Sequence, residues 1–141
     1  MPHTLPVDAP DPDQRFAIVV AQWNRAVTDK LLAGAVAGLT EAGVADDRVD
    51  VAWVPGSWEL PVVARRLADD GRYAALICLG AVVRGETSHD QHINRAVTLA
   101  LSQLAIDARL PVLLGLLTCD TMEQALARAE GAHGNKGREC A

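Results

Sequence analysis

Four short, almost unbroken apolar runs, each followed by a stretch with helical spacing, constrain this chain more than any other feature. The runs are FAIVVA at 16–21, VDVAWV at 49–54, AALICLG at 74–80 and PVLLGLLT at 111–118. A strand with one wet face alternates polar and apolar residues, whereas a nearly continuous apolar run marks a strand covered on both faces, as in parallel sheets. Between the runs, Leu31, Leu32, Ala35, Val36 and Leu39 follow helical spacing and stop at Gly43, and Val62, Val63, Leu67 and Ala68 do so before Gly71. A third helix is predicted from His89 to Ala108 and a fourth from Thr121 to Ala129. The expected fold is therefore α/β, a four-stranded parallel sheet with helices on both faces and right-handed crossovers.

With 141 residues, half of them hydrophobic, the chain suits one domain with a real core. Pro2, Pro6, Pro10 and Pro12 cannot donate to a sheet, so residues 1–14 are expected to form an extended or disordered arm and 15–141 the folded domain. Eighteen acids against thirteen bases, net −5 and without a basic stripe, argue against a nucleic-acid surface. No apolar run is long enough to span a bilayer, and the N-terminus lacks the basic and apolar regions of a signal peptide. Cys78, Cys119 and Cys140 form no CxxC pair and read as reduced thiols, which points to a cytoplasmic protein without disulfides or a zinc knuckle.

In an open parallel sheet, ligands bind beyond the carboxyl ends of the strands. Those ends carry Gln22-Trp23-Asn24, then Pro55-Gly56-Ser57-Trp58-Glu59, then Arg84 to His89, then Thr118-Cys119-Asp120. The third is the richest. In LGAVVRGETSHDQHI at 79–93, Gly85 lets the backbone turn tightly, the amides of Glu86 and Thr87 can face an anion at a helix mouth, and His89 can exchange a proton near neutral pH. The same turn could instead serve as a helix cap through Thr87 or Ser88. Trp23 and Trp58 are open to rim packing or to stacking on a flat ring, and their place directly after strands favours stacking. Glu59 could bind a ligand or complement a helix dipole. His89 and His92, at i and i+3, match a metal pair in spacing but lack a third ligand, so no metal site is expected. From periodicity alone, Arg128 is a solvated helix residue and Lys136 the tip of a Gly134-Asn135-Lys136-Gly137 turn.

Taken in order, these segments resemble the 6,7-dimethyl-8-ribityllumazine synthase family of riboflavin biosynthesis. The resemblance rests on Trp23-Asn24, VAWVPGSWELP at 51–61, GAVVRGETSH at 80–89, GLLTCDTMEQALARA at 115–129 and GNKGREC at 134–140. It implies a transferase that condenses 5-amino-6-(D-ribitylamino)uracil with 3,4-dihydroxy-2-butanone 4-phosphate, releasing phosphate and water without metal or organic cofactor. It also implies a flavodoxin-like three-layer sandwich, with active sites between the subunits of a homopentamer. On this resemblance Trp23 stacks on the pyrimidine, Ser57, Trp58 and Glu59 take the ribityl chain and ring, and backbone at Val82 and Val83 meets the uracil edge. Gly85, Glu86, Thr87 and Arg128 take the phosphate, His89 transfers protons, and Lys136 stands near the site.

Three departures accompany the resemblance. Relatives carry an aromatic-acidic-aromatic run after the histidine where this chain has Asp90-Gln91-His92. Leu114 stands where the family often has a Phe that reaches the substrate ring across a subunit boundary, and the chain ends at Ala141 where the family's final helix begins its run. The resemblance leaves two assemblies, a free pentamer or a sixty-subunit icosahedral shell of twelve pentamers that could enclose riboflavin synthase. The lack of an insertion before the GNKG segment favours the shell, and the proline-rich arm favours the pentamer. On balance the shell is expected. The alternatives to an enzyme are a catalytically weak lumazine- or flavin-binding relative and a purely structural shell protein.

Overall fold

Strand β1 (Arg15–Ala21) is the spine of the molecule: six of its seven residues are buried, the consequence of an apolar run covered on both faces. The computed structural model describes residues 1–6, 13–85, 88–129 and 134–141. β1 pairs in parallel with β2 (Val49–Val54) on one side and β3 (Tyr73–Val83) on the other, and β3 pairs in parallel with β4 (Val112–Cys119). The order is β2-β1-β3-β4. β3 runs three residues past Gly80, because its ladder with β4 continues to Val83↔Cys119 and is closed by the Arg84 N–H on the Cys119 carbonyl at 2.8 Å. β4 starts one residue later than its apolar run. Pro111 has no N–H to donate, although its carbonyl accepts from Leu76 N at 2.9 Å.

The helices are α1 (Arg25–Glu41), α2 (Leu60–Asp70), α3 (His89–Ala108), α4 (Met122–Ala129) and α5 (Lys136–Cys140). On one face of the sheet, Val27, Leu31, Ala35 and Leu39 of α1 and Ala125 and Ala129 of α4 close over Ile18, Val20, Ile77 and Leu79. On the other, Leu60 and Ala64 of α2 and Val97, Leu101 and Leu104 of α3 close over Ala17, Val19, Leu76 and Cys78. The molecule is thus a three-layer, flavodoxin-like α/β/α sandwich. A fully buried Leu or Ile in such a core contributes about 1.5–3 kcal/mol by burial. Among the described residues, no helix is long and apolar enough to cross a membrane.

Local chemistry ends the helices where the pattern stops. α1 closes with the Val44 N–H on Leu39 O and the Gly43 N–H on Thr40 O, both at 3.0 Å, with Gly43 at φ 95°. This double hydrogen bond needs a left-handed residue, which glycine adopts without strain. α4 begins after Thr121, whose hydroxyl accepts from Gln124 N at 3.2 Å while the Gln124 side chain accepts from Thr121 N at 3.3 Å. The GNKG segment is not the turn expected from its glycines. Asn135 caps α5, its Oδ1 accepting from Arg138 N at 3.0 Å and its Nδ2 donating to Lys30 O at 2.9 Å and to Ala129 O. Lys136 is accordingly the first residue of a helix seated on α1, so closely that a Cβ on Gly137 would overlap the Leu31 carbonyl.

The three cysteines are free thiols. Burial pushes the Cys78 thiol up to about 12, so it stays protonated at neutral pH and packs as a small apolar group.

Candidate active site

The chain leaves β1 toward β2 and returns to the other side of β1 to lay down β3, so the carboxyl ends of β1 and β3 flank a topological switch point. A cavity of about 470 Å³ opens there. Its walls are Trp23 and Asn24 after β1, Pro55 to Glu59 before α2, Ala81 to Val83 and Gly85 at the end of β3, and His89, Asp90 and Ile93 from the start of α3. A volume of that size accommodates a small, flat, partly polar ligand.

Backbone hydrogen bonds hold the aromatic wall in place. Gln22 N donates to Val54 O at 2.7 Å and Trp23 N to Pro55 O at 3.0 Å, which carries the β1–β2 pairing past the last strand residues. Asn24 then turns into α1 at φ 62°, a conformation asparagine tolerates better than most side chains, and its Nδ2 donates to Ala81 O at 2.8 Å. That bond bridges the switch point and fixes the turn that presents Trp23. Trp23 is 74% exposed and Trp58 62%, so neither is consumed by rim packing and both leave a ring face to the cavity. Trp53, the third tryptophan, is occupied elsewhere, with the Arg25 guanidinium 4.3 Å from its ring centre.

Glu59 has a local partner that its position on a helix dipole did not suggest: Oε2 accepts from Gly56 N at 3.0 Å, bracing the turn that carries Ser57 and Trp58. Ser57 is buried, and its hydroxyl lies where a Cβ on Gly80 would approach to 2.5 Å. A glycine inside a strand often marks such a close approach. Gly80→Ala is expected to destabilise the protein by about 1–3 kcal/mol through overpacking and to displace Ser57. Denaturant unfolding together with substrate KM measures both, and an unchanged midpoint would contradict the close approach.

The cavity gathers Trp23, Ser57, Trp58, Glu59, Val82, Val83, Gly85 and His89 from the sequence-derived set. Glu86 and Thr87 lie outside the described residues. Three others are elsewhere in the same chain. Leu114 is 37% exposed on the edge strand β4. Arg128 lines a separate depression with Cys119 and Glu123, its Nη2 4.0 Å from Glu139 Oε2, and Lys136 Nζ is 3.5 Å from the same oxygen. The end of the fourth strand therefore does not join the other three at the cavity. His92 is exposed and does not line the cavity, whereas His89 does. Among the described residues, no group of three His, Cys, Asp or Glu side chains is placed to hold a metal ion.

Among the described residues, the glycines with left-handed φ are Gly43, Gly71 and Gly134, and Gly85 is not one of them. The sequence reading also missed the Asn24 bridge, the Gly80 approach, and Asp90 and Ile93 in the cavity wall. A glycine inside an apolar strand and an asparagine immediately before a helix were the available signals for the first two.

A cavity over the switch point of a parallel sheet, with two free indole faces and one imidazole, is the layout of an α/β enzyme acting on a small ring-bearing molecule. The family model for 6,7-dimethyl-8-ribityllumazine synthase matches residues 13–141. A 6,7-dimethyl-8-ribityllumazine synthase of Coxiella burnetii (strain CbuG_Q212) is 48% identical over 127 residues, covering 90% of this chain and 84% of the relative. One from Xanthomonas oryzae pv. oryzae (strain PXO99A) is 45% identical over 134 residues, covering 95% and 87%. The chain belongs to the 6,7-dimethyl-8-ribityllumazine synthase family, and with it to the transferases of riboflavin biosynthesis.

Proposed function

We propose that the switch-point cavity is the pyrimidine half of a shared active site and that an adjacent copy of the chain supplies the remainder. The reaction joins 5-amino-6-(D-ribitylamino)uracil to 3,4-dihydroxy-2-butanone 4-phosphate. An amine attacks a ketone, phosphate leaves, and a second ring closes with loss of water. The protein's work is to position two substrates, move protons and hold an anion. Trp23 stacks on the pyrimidine, and backbone at Val82 and Val83 meets its polar edge. Ser57, Trp58 and Glu59 receive the ribityl chain and ring. Gly85, with Glu86 and Thr87, binds the phosphate, and His89 moves the protons. The observation that carries this reading is that one cavity collects both exposed tryptophans, Gly85 and His89 from three different strand ends.

Arg128, Leu114 and Lys136 reach the site from the neighbouring subunit of a homopentamer. Three features support this: the separation of all three from the cavity within one chain, the exposure of Leu114, and the exposed Leu99 and Ile106 on one side of α3. Leu114 supplies an apolar wall where a Phe would stack. The lack of an insertion between residues 129 and 136 supports closure of twelve pentamers into a shell, and the cytoplasm is the compartment that suits three free thiols.

Incubating the purified protein with both substrates is expected to release phosphate and form the fluorescent lumazine in equal amounts. Mass photometry is expected to show particles of five or sixty chain masses. Phosphate release without lumazine would overturn the reaction, and a monomer active at micromolar concentration would overturn the shared site.

A further inference from the structure

Four buried side-chain polar atoms have no hydrogen-bond partner among the described residues: Thr28 Oγ1, Asn94 Oδ1, Arg128 Nε and Asp90 Oδ1. Asp90 alone of these residues lines the switch-point cavity, while Asn94 and Arg128 line other depressions. A buried carboxylate oxygen without a donor is unfavourable, and in a ligand cavity the missing donor can come from the ligand.

The charge of Asp90 decides which substrate it serves. The phosphorylated ketone is an anion and is repelled by a carboxylate. The pyrimidine is neutral and rich in donors: ring N–H groups, an amine and the hydroxyls of the ribityl chain. The ring edge faces the backbone of β3 in the reading above. α3 packs against the Ser57–Glu59 turn, and Asp90 lines the same cavity as the segment assigned to the ribityl chain. Glu59, the other carboxylate lining the cavity among the described residues, already has Oε2 engaged by the Gly56 N–H.

We infer that Asp90 is a specificity-determining residue whose carboxylate accepts a hydrogen bond from a hydroxyl of the ribityl chain. The inference rests on the assignment of the cavity to the pyrimidine substrate. Its test compares the natural pyrimidine with an analogue carrying a plain alkyl chain, in wild type, Asp90→Ala and Asp90→Asn. Asp90→Ala is expected to raise KM for the natural pyrimidine about tenfold or more, the usual effect of losing a hydrogen bond to a charged group. KM for the phosphorylated ketone and for the alkyl analogue should stay near wild type. Asp90→Asn keeps an acceptor and should recover part of the loss.

Thermal unfolding separates this role from a structural one. A carboxylate serving only the α3 dipole would lower Tm when removed and leave the ratio of the two pyrimidine KM values unchanged, whereas a carboxylate that binds the ribityl chain changes that ratio whatever the shift in Tm. Equal losses with both pyrimidines, or a loss confined to the phosphorylated ketone, would overturn the inference. A wild-type protein that forms no lumazine overturns the proposed function; an active wild type with Asp90 variants indistinguishable from it overturns only the role of Asp90.

Discussion

Arg128→Ala is expected to raise KM for the phosphorylated ketone by about 10- to 100-fold, the range for loss of a hydrogen bond to a charged group, and to leave pyrimidine affinity almost unchanged. The guanidinium is only loosely engaged in its own chain, with Nη2 4.0 Å from Glu139 Oε2 and a buried Nε that has no hydrogen-bond partner among the described residues. With its ion pair this long, the Nη end of the guanidinium is available to a phosphate. Arg128→Lys should recover little, because an ammonium cannot reproduce the paired parallel bonds of a guanidinium to phosphate. Lys136 shares the Glu139 oxygen and keeps some positive charge nearby in either variant, so binding weakens without disappearing. Initial-rate kinetics with each substrate varied in turn would read this split. A variant with lowered Tm but wild-type KM for the phosphorylated ketone would reduce Arg128 to a structural partner of Glu139.

His89→Ala is expected to lower kcat by about 100-fold, at the modest end of what a positioned acid–base group contributes. On the proposed site assignment, the remaining rate is expected from proximity of amine and ketone held in the cavity that Trp23, Trp58 and the end of β3 line. Pyrimidine affinity should be retained. The structure separates the two candidate imidazoles, since His89 lines the cavity and His92 is exposed outside it. His92→Ala should therefore leave turnover near wild type. If His92→Ala were the more damaging of the two, with both variants folded and assembled, the proton transfer would belong to the other ring. A combined His89→Ala and Arg128→Ala variant should lose about the sum of the two free energies if the groups act on separate steps, and less if they act as one unit.

Periodicity decided most of the architecture. The apolar run at 16–21 became a central strand buried on both faces, whereas the run at 49–54 became an edge strand with Val51 exposed, and the helical stripe ending at Gly43 placed the left-handed closure of α1 to the residue. These are local consequences of backbone geometry and side-chain spacing. The strand ends were legible for the same reason: whatever follows an apolar strand in a parallel sheet lies at its carboxyl edge, so Trp23, Trp58, Gly85 and His89 could be assigned to one rim. Motif order added what spacing could not, the family and its reaction.

Tertiary structure decided everything that depends on two distant segments meeting. The order β2-β1-β3-β4 set the switch point, and only then could Asn24 bridge to Ala81, fifty-seven residues away, and Gly80 yield its space to Ser57. Asn135 looked like part of a turn because its partners, Lys30 O and Ala129 O, come from α1 and α4. Arg128 and Lys136 matched the motif but do not line the cavity: Arg128 lines a separate depression with Cys119 at the end of β4, and Lys136 pairs with Glu139. Asp90 stood in the sequence only as part of the Asp90-Gln91-His92 segment after His89; that its Oδ1 has no partner among the described residues and that it lines the cavity came from the tertiary structure. The sequence by itself determined the class of fold, the helix ends and the chemistry of the rim, because those depend on neighbours along the chain. Strand order, close approaches and unmet hydrogen bonds belonged to the tertiary structure, because each depends on the distance between residues that the chain alone leaves free.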